Sequence, residues 1–578
     1  CKEQSQTIKY IVYGILSCGY VAYFIAACVL NFQRAIALVV LNCLAVFFII
    51  YDLVKRYKGD SLKRCFRPVE RCFRGNVRWL KWKCAHRVFL VVVLALLVTW
   101  LAVDTSKRPE QLISFGGICL FLLLIYIFSV HREAVSWRAV FWGLGLQFVI
   151  GLFVIRTEPG LTAFKWLGDQ VQIFLNYTIA GSSFVFGNDL VTQAFAFQAL
   201  PIIVFFSSVM SVLYYLGIMQ WIIIKIAWIM QITMGTSPTE TLSVAGNIFV
   251  GQTEAPLLIR PYLQEMTKSE IHAVMTGGFA TIAGSVMGAY ISFGIDAASL
   301  ISASVMAAPC ALGLAKLSYP ETCKTKFKTK DQIKVDSSGE QNILEAASNG
   351  ASASIALVAN IAANLIAFLA ILDFINAALK WLGGMVGYPE ITFEMICSYV
   401  FMPVTFMMGI PYEESFVAAE LIGTKLFLNE FLAYERLSKL KNNRLNGLPP
   451  VSDSERQWIS VRSETICTYA LCGFANFTSL GIMIGGLSSI CPSRRGDISK
   501  TVMRALFTGT CASLVNACIA GIKVETHTLN VDFLSPVLCC SAINNGTAVH
   551  FTGSWSNVMN ATLYFTSCCD LYNNTMCF

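Results

Sequence analysis

Residues Gly246 to Pro256, read as GNIFVGQTEAP, place Asn247, Gln252, Thr253 and Glu254 inside a chain that is apolar on both sides of them. A carboxylate near the centre of a bilayer costs about 2.5 to 3.5 kcal/mol on insertion scales, so it persists where something binds it or pairs with it. Gly246, Gly251 and Pro256 interrupt the stretch and predict a broken helix. Its freed backbone groups cannot face lipid and must line a cavity or meet protein.

The pattern occurs twice. Lys425 to Glu435, KLFLNEFLAYE, sets Asn429 and Glu430 in a second apolar run. Each polar tip is followed by a small-residue, hydroxyl-rich interruption of a hydrophobic segment: Ala280 to Gly288 (ATIAGSVMG) after the first, Gly473 to Gly481 (GFANFTSLG) after the second. Interrupted segments in corresponding places of two halves point to the midplane binding site of a secondary transporter.

With 56% hydrophobic and 13% charged residues over 578 positions, the chain reads as a polytopic, all-α membrane protein. Its +8 charge lies in loops beside hydrophobic spans. The positive-inside rule explains that placement, and no nucleic-acid recognition module accompanies it. Most of the 21 cysteines are scattered through apolar stretches as small hydrophobes. Cys539, Cys540, Cys568, Cys569 and Cys577 instead share a polar tail with sequons at Asn545, Asn560 and Asn573. That combination predicts an extracellular, glycosylated, disulfide-bonded tail over 523–578. The chain starts at Cys1 without a methionine, so a trimmed or missing cytosolic N-terminal segment is expected.

In order, 1–155 reads as extra transmembrane helices, with Ile8 to Leu30, Ala35 to Val54, Val88 to Ala102, Leu112 to Val130 and Val140 to Ile155 as spans. The basic loop Lys55 to Arg87 between them is read as cytosolic, which places the N-terminus inside. Its Trp79 and Trp82 fit either a stretch on the inner leaflet or a solvated loop. Residues 156–318 form the first half of a core: an amphipathic helix over Thr162 to Ile179, a span over Gln198 to Ile218, a hairpin near 237–262 opened by Ser237-Pro-Thr-Glu, and a broken helix near 270–295. A polar linker over 319–345 divides the halves. The second half, 346–522, begins with a small-residue helix and span over Ala346 to Leu372, where Ala353, Ala356, Ala359 and Ala363 predict close helix contacts. A hairpin near 415–445, a polar loop over Arg436 to Glu464, a broken helix near 465–486 and a last span over Val502 to Ile522 follow. The cations Arg436, Lys439, Lys441 and Arg444 then fall on the extracellular side, against the positive-inside rule.

The segments GNIFVGQTEAPLLIRPYL, MTGGFATIAGSVMGAYISFG, KLFLNEFLAYE and CGFANFTSLGIMIGGL resemble the signature segments of the concentrative, sodium-coupled nucleoside transporters. The resemblance runs from about Thr162 to Ile522, and the extra spans and Cys-rich tail resemble its vertebrate members. It implies a plasma-membrane homotrimer whose scaffold domain holds a transport domain. That transport domain carries two re-entrant hairpins and two broken helices in an inverted repeat, and moves as an elevator. Independently of the resemblance, Arg494 and Arg495 before the last span favour the cytosol, so the C-terminus is expected to be extracellular, with the N-terminus cytosolic.

Carried over by resemblance, Gln252, Thr253 and Glu254 bond the nucleobase, with Gly251, Ser285 and Val286 shaping that side. Glu430, Asn476 and Ser479 bond the ribose, against which Phe474 packs. No cofactor is implied; the co-transported ion is sodium, held by the Asn247 side chain, the Val250 carbonyl, the Thr281 hydroxyl and the Ile282 carbonyl, a hard oxygen set suited to a hard cation. The substrates implied are nucleosides of the uridine, cytidine, adenosine and inosine type. Pyrimidine-preferring members resemble Ser at the Gly251 position and Leu at the Val286 position; purine-preferring members tend to have Met at Gln252 and Thr at Ser285. The set Gly251, Gln252, Ser285 and Val286 resembles the broad-selectivity pattern, whereas SVMAAPCALGLAKL resembles the selective members.

Other classes are weighed on the same residues. No GxSxG elbow, HExxH, P-loop or paired CxxC supports an enzyme. An ion channel is the nearer rival, because breaks and hairpins also build pores. Phe474 taken alone reads as core, and His272 in Ile271-His-Ala-Val reads as satisfied by a local hydrogen bond, with a proton relay as the alternative.

Overall fold

The computed structural model describes residues 2–30, isolated positions from 32 to 46, 110–193, 195–323, 325–327, 340–388, 390–452 and 455–523. The expected spans over 35–54 and 88–102, the basic loop over 55–87, and the tail with Asn545, Asn560 and Asn573 lie outside the described residues. The chain divides into two units, 1–106 and 107–578. In the first, α1 runs over Lys2–Leu30.

The second unit is built from helices that cap and break where the sequence supplies the chemistry. α2 (Glu110–Ile127) and α3 (Trp137–Arg156) precede α4 (Glu158–Asn176), whose N-terminus is capped by Thr157. Short helices α5 (Thr178–Phe186) and α6 (Asn188–Gln193) lead to α7 (Phe195–Tyr215), which meets α8 (Ile218–Met234) at 79°. Gly217 turns that corner with φ +76°, a conformation glycine adopts without steric cost.

The first hairpin begins at α9 (Pro238–Gly246), where the Glu240 carboxylate accepts from the Ser237 N–H at 2.9 Å. It returns as a 3-10 helix over Ala255–Glu265, a segment whose Pro256 and Pro261 remove two backbone donors. Thr267 and Glu270 then cap α10 reciprocally at 3.1 and 2.8 Å. α10 (Lys268–Ala280) stops at Thr281, and α11 (Gly284–Ser292) resumes after the break. α12 (Ala297–Ser318) crosses α3 closely enough that a Cβ on Gly143 would lie 2.6 Å from the Pro309 carbonyl.

The second half repeats the order of hairpin, broken helix and long helix. Asn342 caps α13, which runs uninterrupted over Ile343–Met385, 43 residues where a helix and a separate span were expected. At about 1.5 Å per residue it is roughly twice the thickness of a hydrocarbon core. Its close approach is at Gly350, where a Cβ would meet Ser211 Oγ at 2.4 Å and where Ser207 Oγ bonds the Gly350 carbonyl at 3.0 Å. The alanines expected to make that contact, Ala353, Ala356, Ala359 and Ala363, are exposed.

α14 (Phe393–Met407) and α15 (Tyr412–Phe427) meet at 116°, and α15 with α16 (Glu430–Leu445) forms the second hairpin. The stretch from Arg436 expected as loop is helical to Leu445. A two-residue antiparallel ladder pairs Val451 with Arg456 and Ser452 with Glu455. The second broken helix is α17 (Val461–Leu471) and α18 (Phe477–Ile490), and α19 (Arg495–Lys523) closes the described chain. Among the described residues, five helices are long and apolar enough to cross a membrane, or seven if each bent pair is one span.

The four cations that conflicted with the positive-inside rule are paired. Arg436 meets Glu394 at 2.8 Å, Lys439 meets Glu435 at 2.6 Å, and Lys441 and Arg444 both meet Glu464. Neutralised within the fold, they do not act as free loop charge.

Candidate functional site

The two breaks and the first tip satisfy one another's backbone. The Gly284 N–H, freed at the first break, donates to the Phe249 carbonyl of the first tip at 3.0 Å. The Phe474 N–H of the second break donates to the Thr281 carbonyl of the first at 3.3 Å. Gly473 has φ +139°, and a Cβ there would lie 2.8 Å from the Phe279 carbonyl, so the breaks approach at backbone contact. Non-helical backbone in an apolar environment is tolerated here because each half supplies partners to the other.

At the second tip Asn429 caps α16, its Oδ1 accepting from the Leu432 N–H at 3.0 Å, which leaves Glu430 as the first helical residue. Glu430 is buried. Its Oε2 accepts from Asn476 Nδ2 at 2.7 Å and its Oε1 from the Tyr290 hydroxyl at 3.1 Å. The Asn476 Oδ1 in turn accepts from the Ser479 N–H at 2.7 Å and caps α18. Glu430, Asn476 and Ser479 are thus one connected set at the N-termini of two helices, where negative charge is favoured.

Tyr290 belongs to this set and was missed from sequence. Its ring lies 4.5 Å from Tyr434 and 5.0 Å from Phe431. The available signal was a tyrosine in an otherwise apolar segment, since a buried phenol needs a partner for its hydroxyl. Lys425 was likewise passed over; it is buried and donates to the Ala470 carbonyl at 2.7 Å.

On the first tip, Glu254 Oε2 accepts from the Gly251 N–H at 3.2 Å, and Glu254, Val250 and Ser285 line a cavity of about 370 Å³. Gln252 is buried with its Oε1 unpartnered among the described residues. Gln252 and Thr253 pack on glycines of the broken helices: a Cβ on Gly278 would lie 2.9 Å from Gln252 Cβ, and one on Gly486 2.5 Å from Thr253 Cγ2. Val286 is buried, and a Cβ at Gly251 would have ordinary contact at 3.6 Å with Ala283, so this position has room for a side chain.

Of the expected ion ligands, Asn247 and Val250 belong to the first tip and Thr281 and Ile282 to the first break. Asn247 is 1% exposed, and neither atom of its amide has a hydrogen-bond partner among the described residues. A buried amide in that condition signals an absent partner. Gly277 lies beside it: a Cβ there would be 3.2 Å from Asn247 Nδ2. The Thr281 hydroxyl donates to the Gly277 carbonyl at 2.9 Å, so its proton is engaged and its lone pairs remain. Among the described residues, neither the Val250 nor the Ile282 carbonyl accepts a backbone bond. Four neutral oxygens of this kind suit a hard monovalent cation.

A further buried set holds the base of the first hairpin. Lys316 on α12 meets Glu240 at 2.7 Å and Ser269 at 3.0 Å, and Glu321 accepts from Thr267 at 2.8 Å. His272 departs from expectation: it is fully buried, neither ring nitrogen has a hydrogen bond among the described residues, and its ring lies 5.7 Å from Tyr319.

Comparison with known proteins identifies the family. The N-terminal model of the Na+ dependent nucleoside transporters matches residues 116–189, their C-terminal model matches 299–521, and a nucleoside recognition model named Gate matches 196–297. The chain is 58% identical over 590 residues to sodium/nucleoside cotransporter 1 of Sus scrofa, covering all of this chain and 89% of the relative. It is 56% identical to sodium/nucleoside cotransporter 2 of Rattus norvegicus, over 98% of this chain and 88% of that one. The solved structure of CNTnw in an inward-facing, substrate-bound state has a TM-score of 0.66 at 35% identity, covering 72% of this chain and 98% of that one. An outward-facing double variant of CNTnw has a TM-score of 0.67 at 34% identity, over 72% and 99%. These relatives are membrane transporters and not enzymes, and on matches that span most of its length this chain belongs to the sodium-dependent nucleoside transporter family.

Proposed function

We propose that the protein is a symporter that couples inward sodium flow to nucleoside uptake across the plasma membrane, taking both purine and pyrimidine nucleosides. The observation that carries this reading is the Glu430, Asn476 and Ser479 set at two helix N-termini, joined through the Phe474 to Thr281 backbone bond to the first break, which in turn bonds the first tip that holds the buried, unpartnered Asn247 amide. Glu430, Asn476 and Ser479 are the ribose side, with Phe474 against the sugar. Gly251, Gln252, Thr253, Glu254, Ser285 and Val286 are the base side. Sodium takes Asn247, Val250, Thr281 and Ile282. A nucleoside joins a planar donor and acceptor edge to a hydroxylated ring, which amide, hydroxyl and carboxylate partners match.

One ion crossing at about 60 mV gains roughly 1.4 kcal/mol, and a tenfold sodium gradient about as much again, so one ion supports on the order of hundredfold accumulation of a neutral solute. Both hairpins and both broken helices form the transport domain of an inverted repeat that moves as an elevator. The exposed, 43-residue α13 belongs to a scaffold whose apolar face is covered in a homotrimer. The division into 1–155, 156–318, 319–345, 346–522 and 523–578, the cytosolic N-terminus, and the extracellular tail glycosylated at Asn545, Asn560 and Asn573 complete the reading. Identity of 58% and 56% to relatives numbered 1 and 2 leaves selectivity to the pocket residues. Uptake of radiolabelled uridine and inosine with sodium, and with choline in its place, tests the reading: sodium-dependent accumulation of both supports it, uptake of one narrows the pocket, and conduction without saturation or accumulation makes the protein a channel.

A further inference from the structure

The cavity has a second wall to which none of the proposed site residues belongs. Phe206, Met210 and Tyr214 recur every fourth residue on α7 and share one face of it. All three line the same cavity as Glu254 and Ser285, together with Gln220 from the first turn of α8. The 79° corner at Gly217 folds Gln220 back over Tyr214. Gln220 Nε2 donates to the Tyr214 backbone carbonyl at 2.8 Å, which fixes which end of the amide points away from α7. Its Oε1 is buried and has no hydrogen-bond partner among the described residues. A bare amide oxygen in a buried wall is a costly arrangement unless a donor arrives from elsewhere.

The chemistry of the two walls selects the donor. Glu254 and Gln220 Oε1 both accept. Glu340, whose Oε2 is buried and has no partner among the described residues, is a third acceptor in the lining, and Ser207 and Ser211 add hydroxyls; Phe206, Met210 and the Tyr214 ring make the aromatic and apolar part. A flat ring with N–H groups on its edge satisfies these acceptors and stacks on the aromatic and apolar remainder. The volume of about 370 Å³ falls within the range of small-molecule pockets, about 300 to 1,000 Å³.

We infer that Gln220 and Tyr214 form a second base-binding wall, in which Gln220 Oε1 accepts from a nucleobase N–H and Tyr214 lies against the ring. The inference rests on the nucleoside reading above and adds a selectivity determinant outside the hairpin tips and broken helices. Gln220 lines the same cavity as Glu254, so discrimination among bases depends on α7 and α8 as well as on the first tip.

The test uses the full chain expressed in cells, with uptake of uridine, which carries an imide N–H, and inhibition by N3-methyluridine, which lacks it. Gln220→Met keeps the length and removes the acceptor. We expect the KM for uridine to rise about tenfold, the amount one hydrogen bond carries. The preference for uridine over N3-methyluridine should shrink by a similar factor, while the sodium concentration for half-maximal uptake stays within about twofold. A packing defect would not move the preference between these two ligands. In parallel, a Tyr214→Cys variant treated with a thiosulfonate reagent should be labelled more slowly when saturating uridine and sodium are present, which holds even if Gln220→Met fails to reach the surface. An unchanged uridine preference in Gln220→Met, or Tyr214→Cys labelling that uridine does not slow, overturns this wall while leaving the nucleoside reading intact. Absence of sodium-dependent uptake of any nucleoside by the parent chain overturns the reading on which it rests.

Discussion

Asn476 donates from Nδ2 to Glu430 Oε2 at 2.7 Å while its own Oδ1 caps α18, so one amide ties the second hairpin tip to the second break. With Tyr290 donating to the other carboxylate oxygen, Glu430 is held by two donors in a buried setting and remains an acceptor for a third. A carboxylate placed this way by two helix starts needs little reorganisation to accept from a further donor, which in the proposed reading is a sugar hydroxyl.

Glu430→Gln is expected to lower ribonucleoside uptake by about 10- to 100-fold, the range for a hydrogen bond to a charged group, with surface abundance preserved. Radiolabelled uridine uptake against surface biotinylation checks both. Normal uptake would remove Glu430 from the sugar site. Tyr290→Phe should have the smaller effect, a several-fold rise in KM, because it removes one donor to the carboxylate and leaves Asn476 in place.

Asn247→Ala should raise the sodium concentration for half-maximal uptake by about tenfold, since it deletes a buried oxygen that has no hydrogen-bond partner among the described residues. The measurement is a sodium titration of uptake at saturating nucleoside. A curve that coincides with that of the parent would place the ion elsewhere.

Lys316→Met leaves Glu240 buried without its 2.7 Å cation partner. Loss of about 3 to 5 kcal/mol is the usual consequence of breaking a buried pair from one side. The expected result is reduced surface abundance and a lower inactivation temperature in detergent. Adding Glu240→Gln to the same chain should recover much of the loss, and failure of that second change to help would mean that Lys316 acts through Ser269 or Glu321 instead.

Gly473→Ala should abolish uptake, because a Cβ at φ +139° is strained and would lie 2.8 Å from the Phe279 carbonyl. Parent-like uptake would show that the two breaks can separate without loss. Gly251→Ser is the contrasting change: the nearest neighbour of a Cβ there is 3.6 Å away, so the variant should transport and shift only its preference between uridine and inosine.

Where the polar tips and breaks fall is legible from residue chemistry along the chain. Asn247, Glu254, Glu430 and Asn476 stand out because carboxylates and amides are costly in apolar surroundings, and capping pairs such as Thr267 with Glu270 are local in the chain. Only the tertiary structure decided which of these meet. Tyr290 and Glu430 are 140 residues apart, Lys316 and Glu240 lie on different helices, and Gln220 reaches the cavity only because α7 and α8 turn at Gly217. The same holds for α13, which meets Ser207 and Ser211 at Gly350 while Ala353, Ala356, Ala359 and Ala363 are exposed. Periodicity and composition record what a residue costs to bury. The partner that offsets that cost comes from elsewhere in the chain, and its identity depends on packing that no local pattern carries.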